Sequence, residues 1–204
     1  MEVVGERWSL LIVRELMFGP RRFSDLRGSL PGVSAKVLTE RLVGLSDAGV
    51  LIRRKLPPPI SAHIYELTEW GYAAEPLIQE LGRWATMSAQ HDPTLPLSPV
   101  SLMPSMRTMF DREKARGIDT EIGFDIAEEQ FIATLHDGTL QISRGEPRGV
   151  EAVFRAPAAP VMAALLYAGV PVWQLEKEAG LVIEGNRESA LAYAEIFDLP
   201  EKLA

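Results

Sequence analysis

Between residues 30 and 67 the hydrophobic period changes from about 3.6 to 2. That change constrains the chain more than any other feature, because it demands a helix that runs straight into a hairpin. Ser34 stands directly before a helical-period run and can accept from its first orphan N–H groups, while Gly49 offers the left-handed residue that ends a helix. The pattern therefore predicts a helix over 34–48. At about 100° per residue, Leu38, Leu42, Leu45 and Ala48 share one stripe, whereas Lys36, Thr39, Glu40, Val43 and Asp47 fall on or toward the opposite face. The first set packs and the second is left for contact. After Gly49, VLIRRKL and HIYEL follow the strand period around Pro57-Pro58-Pro59, which cannot donate ladder hydrogen bonds and reads as the tip of a two-stranded wing.

Arg53, Arg54 and Lys55 are consecutive, so strand alternation sends Arg53 and Lys55 to one face of the wing and Arg54 to the other. Cations beside an exposed polar helix face suit double-stranded DNA: phosphates for the wing, base edges for Lys36, Thr39 and Glu40, the last able to accept from cytosine N4. Arg21 and Arg22 precede a short helix expected over 24–29, with Phe23 and Leu26 inward; they read either as further phosphate contacts or as a solvated pair. Ser34 and His63 complete the candidate DNA-contact set. The formal net charge of −7 weighs against nucleic acid only if it is evenly spread. It is not: residues 1–90 hold 11 Lys/Arg and 10 Asp/Glu, while residues 91–204 hold 10 and 18.

The run GERWSLLIVREL, then GPRRFSDL, LPGVSAKVLTERL and AGVLIRRKLPPPISAHIYELTEWG, resembles the winged helix-turn-helix domain of HxlR-type bacterial transcription regulators over residues 3–89. The resemblance implies a DNA-binding homodimer whose terminal helices pair. It also implies an N-terminus trimmed relative to such regulators, because MEVVGERW enters the helical pattern almost at once.

That pattern predicts a first helix over 2–17, stopped by Gly19-Pro20, with Trp8 either a core aromatic or a dimer contact. Thr68 is an expected N-cap for a long helix kinked at Pro76, whose stripe of Trp70, Leu77, Ile78, Leu81 and Trp84 is too wide for one small domain to cover. Residues 91–105 contain four prolines and little periodicity, and read as a linker between domains at 1–90 and 106–204. Met103, Met106, Met109 and Phe110 then return to helical spacing, as gap-filling core or as a ligand surface.

From Asp119 the pattern is strand-like, with Asp137-Gly138 as a hairpin signal, followed by helical runs at MAALLYAG and VWQLEKEAG, the strand LVIEG and a last helix at ESALAYAEIF. The expected fold class is α+β: an N-terminal winged helix-turn-helix followed by a mainly antiparallel sheet with helices on one face. The order in the second half is similar to the sterol-carrier-protein-like domain, over residues 105–200. That resemblance implies a small apolar ligand between sheet and helices. Phe131, Met162, Leu166, Tyr167 and Trp173 are its candidate lining, or simply the core such a layer needs anyway.

Catalytic and cofactor chemistry finds no foothold. The chain has no cysteine, which excludes disulfides and thiol-based sensing within it. His63, His91 and His136 lack ligand spacing, Glu128-Glu129 point apart in an extended segment, and no phosphate-binding glycine motif is present, so neither metal nor cofactor nor enzymatic activity is expected. No apolar stretch approaches a membrane span, and a cytoplasmic protein without membrane contact is the expectation. The reading is a dimeric DNA-binding regulator with a possible apolar effector; the alternative is an apolar-ligand carrier or interaction module without regulated DNA binding.

Overall fold

The computed structural model describes residues 4–57 and 62–203. The chain divides into two compact units, Met1–Ile78 and Gln79–Ala204.

In the first unit the order is α1 (Ser9–Leu16), β1 (Arg21–Arg22), α2 (Phe23–Ser29), α3 (Ala35–Asp47), β2 (Leu51–Lys55), β3 (His63–Leu67) and α4 (Glu69–Tyr72). Ser34 Oγ accepts from the Val37 N–H at 3.2 Å and Gly49 adopts φ +76°, so α3 starts and stops where its cap and left-handed residue require. Leu38, Leu42 and Leu45 of α3 are buried together with Ile12, Leu16, Leu26 and Leu51. The first helix is shorter than its period implies, because Trp8 sits at φ +80° and a helix cannot run through a left-handed residue. The beginning of the expected helix, at Glu2, lies outside the described residues.

The wing has three strands instead of two. β3 pairs antiparallel with β2, Arg53 opposite Tyr65, and on its other edge with β1, Arg21 opposite Tyr65 and Arg22 opposite Ile64. Of the expected tip, Pro58 and Pro59 lie outside the described residues; on the near side Leu56 N–H donates to the Ala62 carbonyl at 2.8 Å.

Thr68 ties the wing to α4. Its hydroxyl donates to the Gly49 carbonyl at 2.8 Å and lies 3.1 Å from the Val50 carbonyl, and the same oxygen accepts from the Gly71 N–H at 3.1 Å. The expected kinked helix is two helices, α4 and α5 (Glu75–Thr86), with the break ahead of the proline. Pro76 falls in the first turn of α5, where a missing N–H costs nothing.

In the second unit the expected linker is partly helical: α6 (Pro99–Met109) begins inside it, and the division between units falls at 78/79, ahead of that segment. Ser98 caps α6 and Pro99 occupies its first turn, so this proline starts a helix; Val100, Leu102, Met103, Met106 and Met109 are buried. A five-stranded sheet comes next, from β4 (Thr120–Ile126), β5 (Glu129–His136), β6 (Thr139–Arg144), β7 (Ala152–Ala156) and β8 (Val182–Gly185), in the order β6-β5-β4-β7-β8. Its pairs are antiparallel except β4 with β7, which is parallel. Helices α7 (Ala159–Tyr167) and α8 (Val172–Glu178) link β7 to β8, and α9 (Arg187–Ala194) closes the unit. Phe124 stands opposite Phe131 and Phe154 on the buried face, stacks on Phe154 at 5.7 Å, and meets Tyr193 of α9 at 6.0 Å. That aromatic seam joins sheet to helix.

Two glycines of the first unit test this packing in opposite directions. A Cβ on Gly71 would lie 2.2 Å from the Val50 carbonyl oxygen, whereas one on Gly44 of α3 would meet nothing within 4 Å. Gly71→Ala is therefore expected to destabilise by about 2 kcal/mol or more, and Gly44→Ala to stabilise by up to about 1 kcal/mol, both read from urea unfolding midpoints.

Candidate nucleic-acid interface

The exposed face of α3, the start of α2 and the wing enclose a groove of about 660 Å³. Four of the sequence candidates meet there: Arg22, Thr39, Arg53 and His63, alongside Phe23 and Val43. Arg53 of β2 lines this groove, and so does Arg22, which stands where β1 passes into α2, while its neighbour Arg21 is buried. Lys55 follows Arg53 on the same side of the strand and is exposed. Among the described residues, no carboxylate lies within ion-pair distance of Arg22, Arg53 or Lys55; Asp47 supplies the groove's one acidic side chain.

The remaining candidates are placed differently. Arg21 is only 8 % exposed, and its guanidinium donates to Ser29 Oγ at 3.1 Å, so it braces α2 from within and does not present its charge to the groove. Arg54 forms an ion pair with Glu66 across the wing, which spends its charge on the neighbouring strand. Ser34 is occupied as the cap of α3. Lys36 and Glu40 face one another one turn apart at 3.9 Å on the outer side of α3, and Thr39 donates its hydroxyl to the Ala35 carbonyl at 2.9 Å. Val43, 54 % exposed beside Thr39, was visible on the outer face of the helical wheel but carried no functional group to mark it.

The five candidate ligand residues of the second unit do not form one lining. Phe131 and Met162 are fully buried, and Trp173 is 61 % exposed, because α8 turns Leu175 inward and leaves Trp173 outside. Leu166 and Tyr167 do line a groove of about 640 Å³, but it lies beside α7 and the end of α9, walled by Leu165, Ile196 and Phe197 together with the charged Lys114, Glu195 and Asp198, and not between sheet and helices. Tyr167 shares a hydrogen bond of 3.0 Å with Ser105 Oγ, and burial pushes its phenol well above the ordinary tyrosine range.

Among the described residues no group of three or more His, Asp or Glu could hold a metal ion, and no helix is long and apolar enough to cross a membrane. The groove of α3 with the wing and the groove beside α7 and α9 are two places where binding chemistry can be sought.

Comparison with known proteins bears on the first of them. Residues 3–93 match the HxlR-like helix-turn-helix family. Over 86 residues the chain is 38% identical to the uncharacterized HTH-type transcriptional regulator YvaP of Bacillus subtilis, a match spanning 42% of this chain and 80% of YvaP. Over 83 residues it is 40% identical to the HTH-type transcriptional regulator YodB of the same organism, spanning 41% of this chain and 74% of YodB. The solved structure of reduced YodB is 37% identical, covers 44% of this chain and 87% of its own, and superposes with a TM-score of 0.41. These relatives are named as transcriptional regulators and not as enzymes. With its cap, helix and wing where the matched residues fall, the chain belongs to the HxlR-like helix-turn-helix family.

Proposed function

We propose that this protein is a dimeric, DNA-binding transcription regulator whose second unit takes a small apolar effector. The observation that carries the DNA reading is the convergence of Arg22 and Arg53 on the groove beside the exposed face of α3. Double-stranded DNA carries regularly spaced phosphates, and cations on both sides of a protruding helix can hold it by its backbone while the helix enters the major groove. With Arg21 buried and Arg54 paired, Arg22, Arg53 and Lys55 are the phosphate contacts of each monomer. Three contacts per monomer correspond to a log–log salt slope of about −5 for a dimer. Titrations of duplex DNA by fluorescence anisotropy between low and physiological salt test this. Arg53→Ala should flatten the slope by about 2 per dimer and Arg54→Ala by clearly less; equal effects of the two substitutions would place the wing differently on DNA.

The dimer reading is supported by α5, in which no residue is buried and Leu77, Leu81 and Trp84 line one face at one-turn spacing, 48 %, 39 % and 71 % exposed. An apolar stripe of this kind is poorly suited to water and well suited to its own copy about a two-fold axis. Light scattering should give about twice the 22.5 kDa chain mass, and Leu77→Asp with Leu81→Asp should return the monomer mass with helix content retained.

The effector reading is supported by the groove beside α7 and α9, whose volume falls in the usual range for small-molecule sites. A bound ligand there would act on DNA only through unequal affinity for two dimer geometries, a coupling of about 1–3 kcal/mol. An apolar fluorescent probe should brighten with the wild-type protein, and Leu165→Trp, at a half-buried position in the groove wall, should abolish that response with helix content retained. A probe that responds equally to both proteins would count against an effector at this place.

A further inference from the structure

We propose that base selection by α3 rests on thymine methyl groups, read by an apolar surface made of Val43 and the γ-methyl of Thr39; the inference rests on the DNA-binding reading above. Val43 is 54 % exposed in the middle of α3, and β-branched residues are weak helix formers that gain nothing there from burial. Such a residue on a surface helix face is a cost the fold does not require. Thr39 lies one turn before it on the same face, and both line the groove together with Phe23, Arg22 and Arg53. Because the Thr39 hydroxyl donates back to the Ala35 carbonyl at 2.9 Å, its hydrogen is spent inside the helix. The polar candidates beside it, Lys36 and Glu40, face each other at 3.9 Å and do not line the groove. Of the α3 residues that line the groove, Ser46 and Asp47 lie toward its end, and Thr39 and Val43 form an adjacent apolar pair in its middle.

Arg22 and Arg53 at the groove select a polyanion, and among the edges that a DNA major groove presents only thymine carries an apolar group, its C5 methyl. Thr39 and Val43 are spaced one helical turn apart, so they meet neighbouring base pairs and not the same one. The occupant is accordingly a duplex with thymines at the centre of each half-site.

The test uses the full 204-residue chain. Duplexes enriched from a randomised pool are resynthesised with deoxyuridine in place of individual thymidines, which removes the methyl and leaves every hydrogen-bonding group unchanged. One or two positions per half-site should bind about fourfold more weakly for each methyl lost, the value of one buried methyl-sized group. Val43→Ala should erase the penalty at one of these positions and Thr39→Ser at the other, while both variants keep the wild-type salt slope. Uracil duplexes bound as tightly as thymine duplexes at every position overturn the proposal. So does a chain that enriches no sequence yet binds DNA with the expected salt slope, an outcome that leaves the phosphate contacts standing. A chain that binds no duplex at all removes both readings together.

Discussion

The hydroxyl of Thr68 holds the first unit together at the one point where three elements meet. It donates to the carbonyl of Gly49, just past the end of α3, lies 3.1 Å from the Val50 carbonyl, and accepts the Gly71 N–H that opens α4. The Thr68 N–H adds a backbone bond to the Val50 carbonyl at 3.0 Å, and Gly71 must lack a side chain because that carbonyl sits where its Cβ would be. The end of α3, the start of β2, the end of β3 and α4 are therefore fixed relative to one another by a few atoms. Neither α3 nor a two-stranded ribbon could hold this angle alone, since an isolated hairpin is marginal in water. The groove between them inherits its shape from that junction.

A rigid groove lets charge be arranged independently of total charge. The first 90 residues are nearly balanced, yet their acids are largely consumed: Glu66 by Arg54, Glu6 by Arg41 at 2.8 Å, Glu15 by Arg14 at 3.0 Å, and Asp25 by the Arg22 backbone N–H at the start of α2. Arg22 and Arg53 remain at the groove, and Lys55 is exposed two residues further along β2. A domain of small net charge can thus present a cationic surface, and position decides what composition cannot.

How much of this was legible in the sequence depends on the range of the forces involved. Cap, period and terminal glycine are all local, so α3 and its outer face could be read to within a residue, as could the Asp137-Gly138 turn, whose φ angles of +47° and +65° need such residues. The strand β1 could not, because two residues carry no period and their partners, Ile64 and Tyr65, are some forty positions away. That strand separates the adjacent arginines, turning Arg21 into the core and Arg22 out. The turn at Ala127 and Glu128, at φ +49° and +68°, was equally hidden, since neither residue type advertises a left-handed conformation. Element order and apolar character together suggest a ligand lining in the second unit, and neither distinguishes core from groove: Phe131 and Met162 lie in the core, Leu166 is buried at the edge of the groove that Tyr167 also lines, and Trp173 is on the surface.

The acidic second half adds a constraint on how the groove must work. Residues 91–204 carry eight more acids than bases, and any of them brought near the duplex would repel it. At physiological salt that repulsion reaches only about 8 Å, so it opposes broad wrapping of DNA far more than it opposes a single inserted helix. Affinity cannot then be gathered from many weak phosphate contacts across the whole chain. On the proposed reading it comes from a few cations at the groove and from direct contact between base edges and the exposed face of α3.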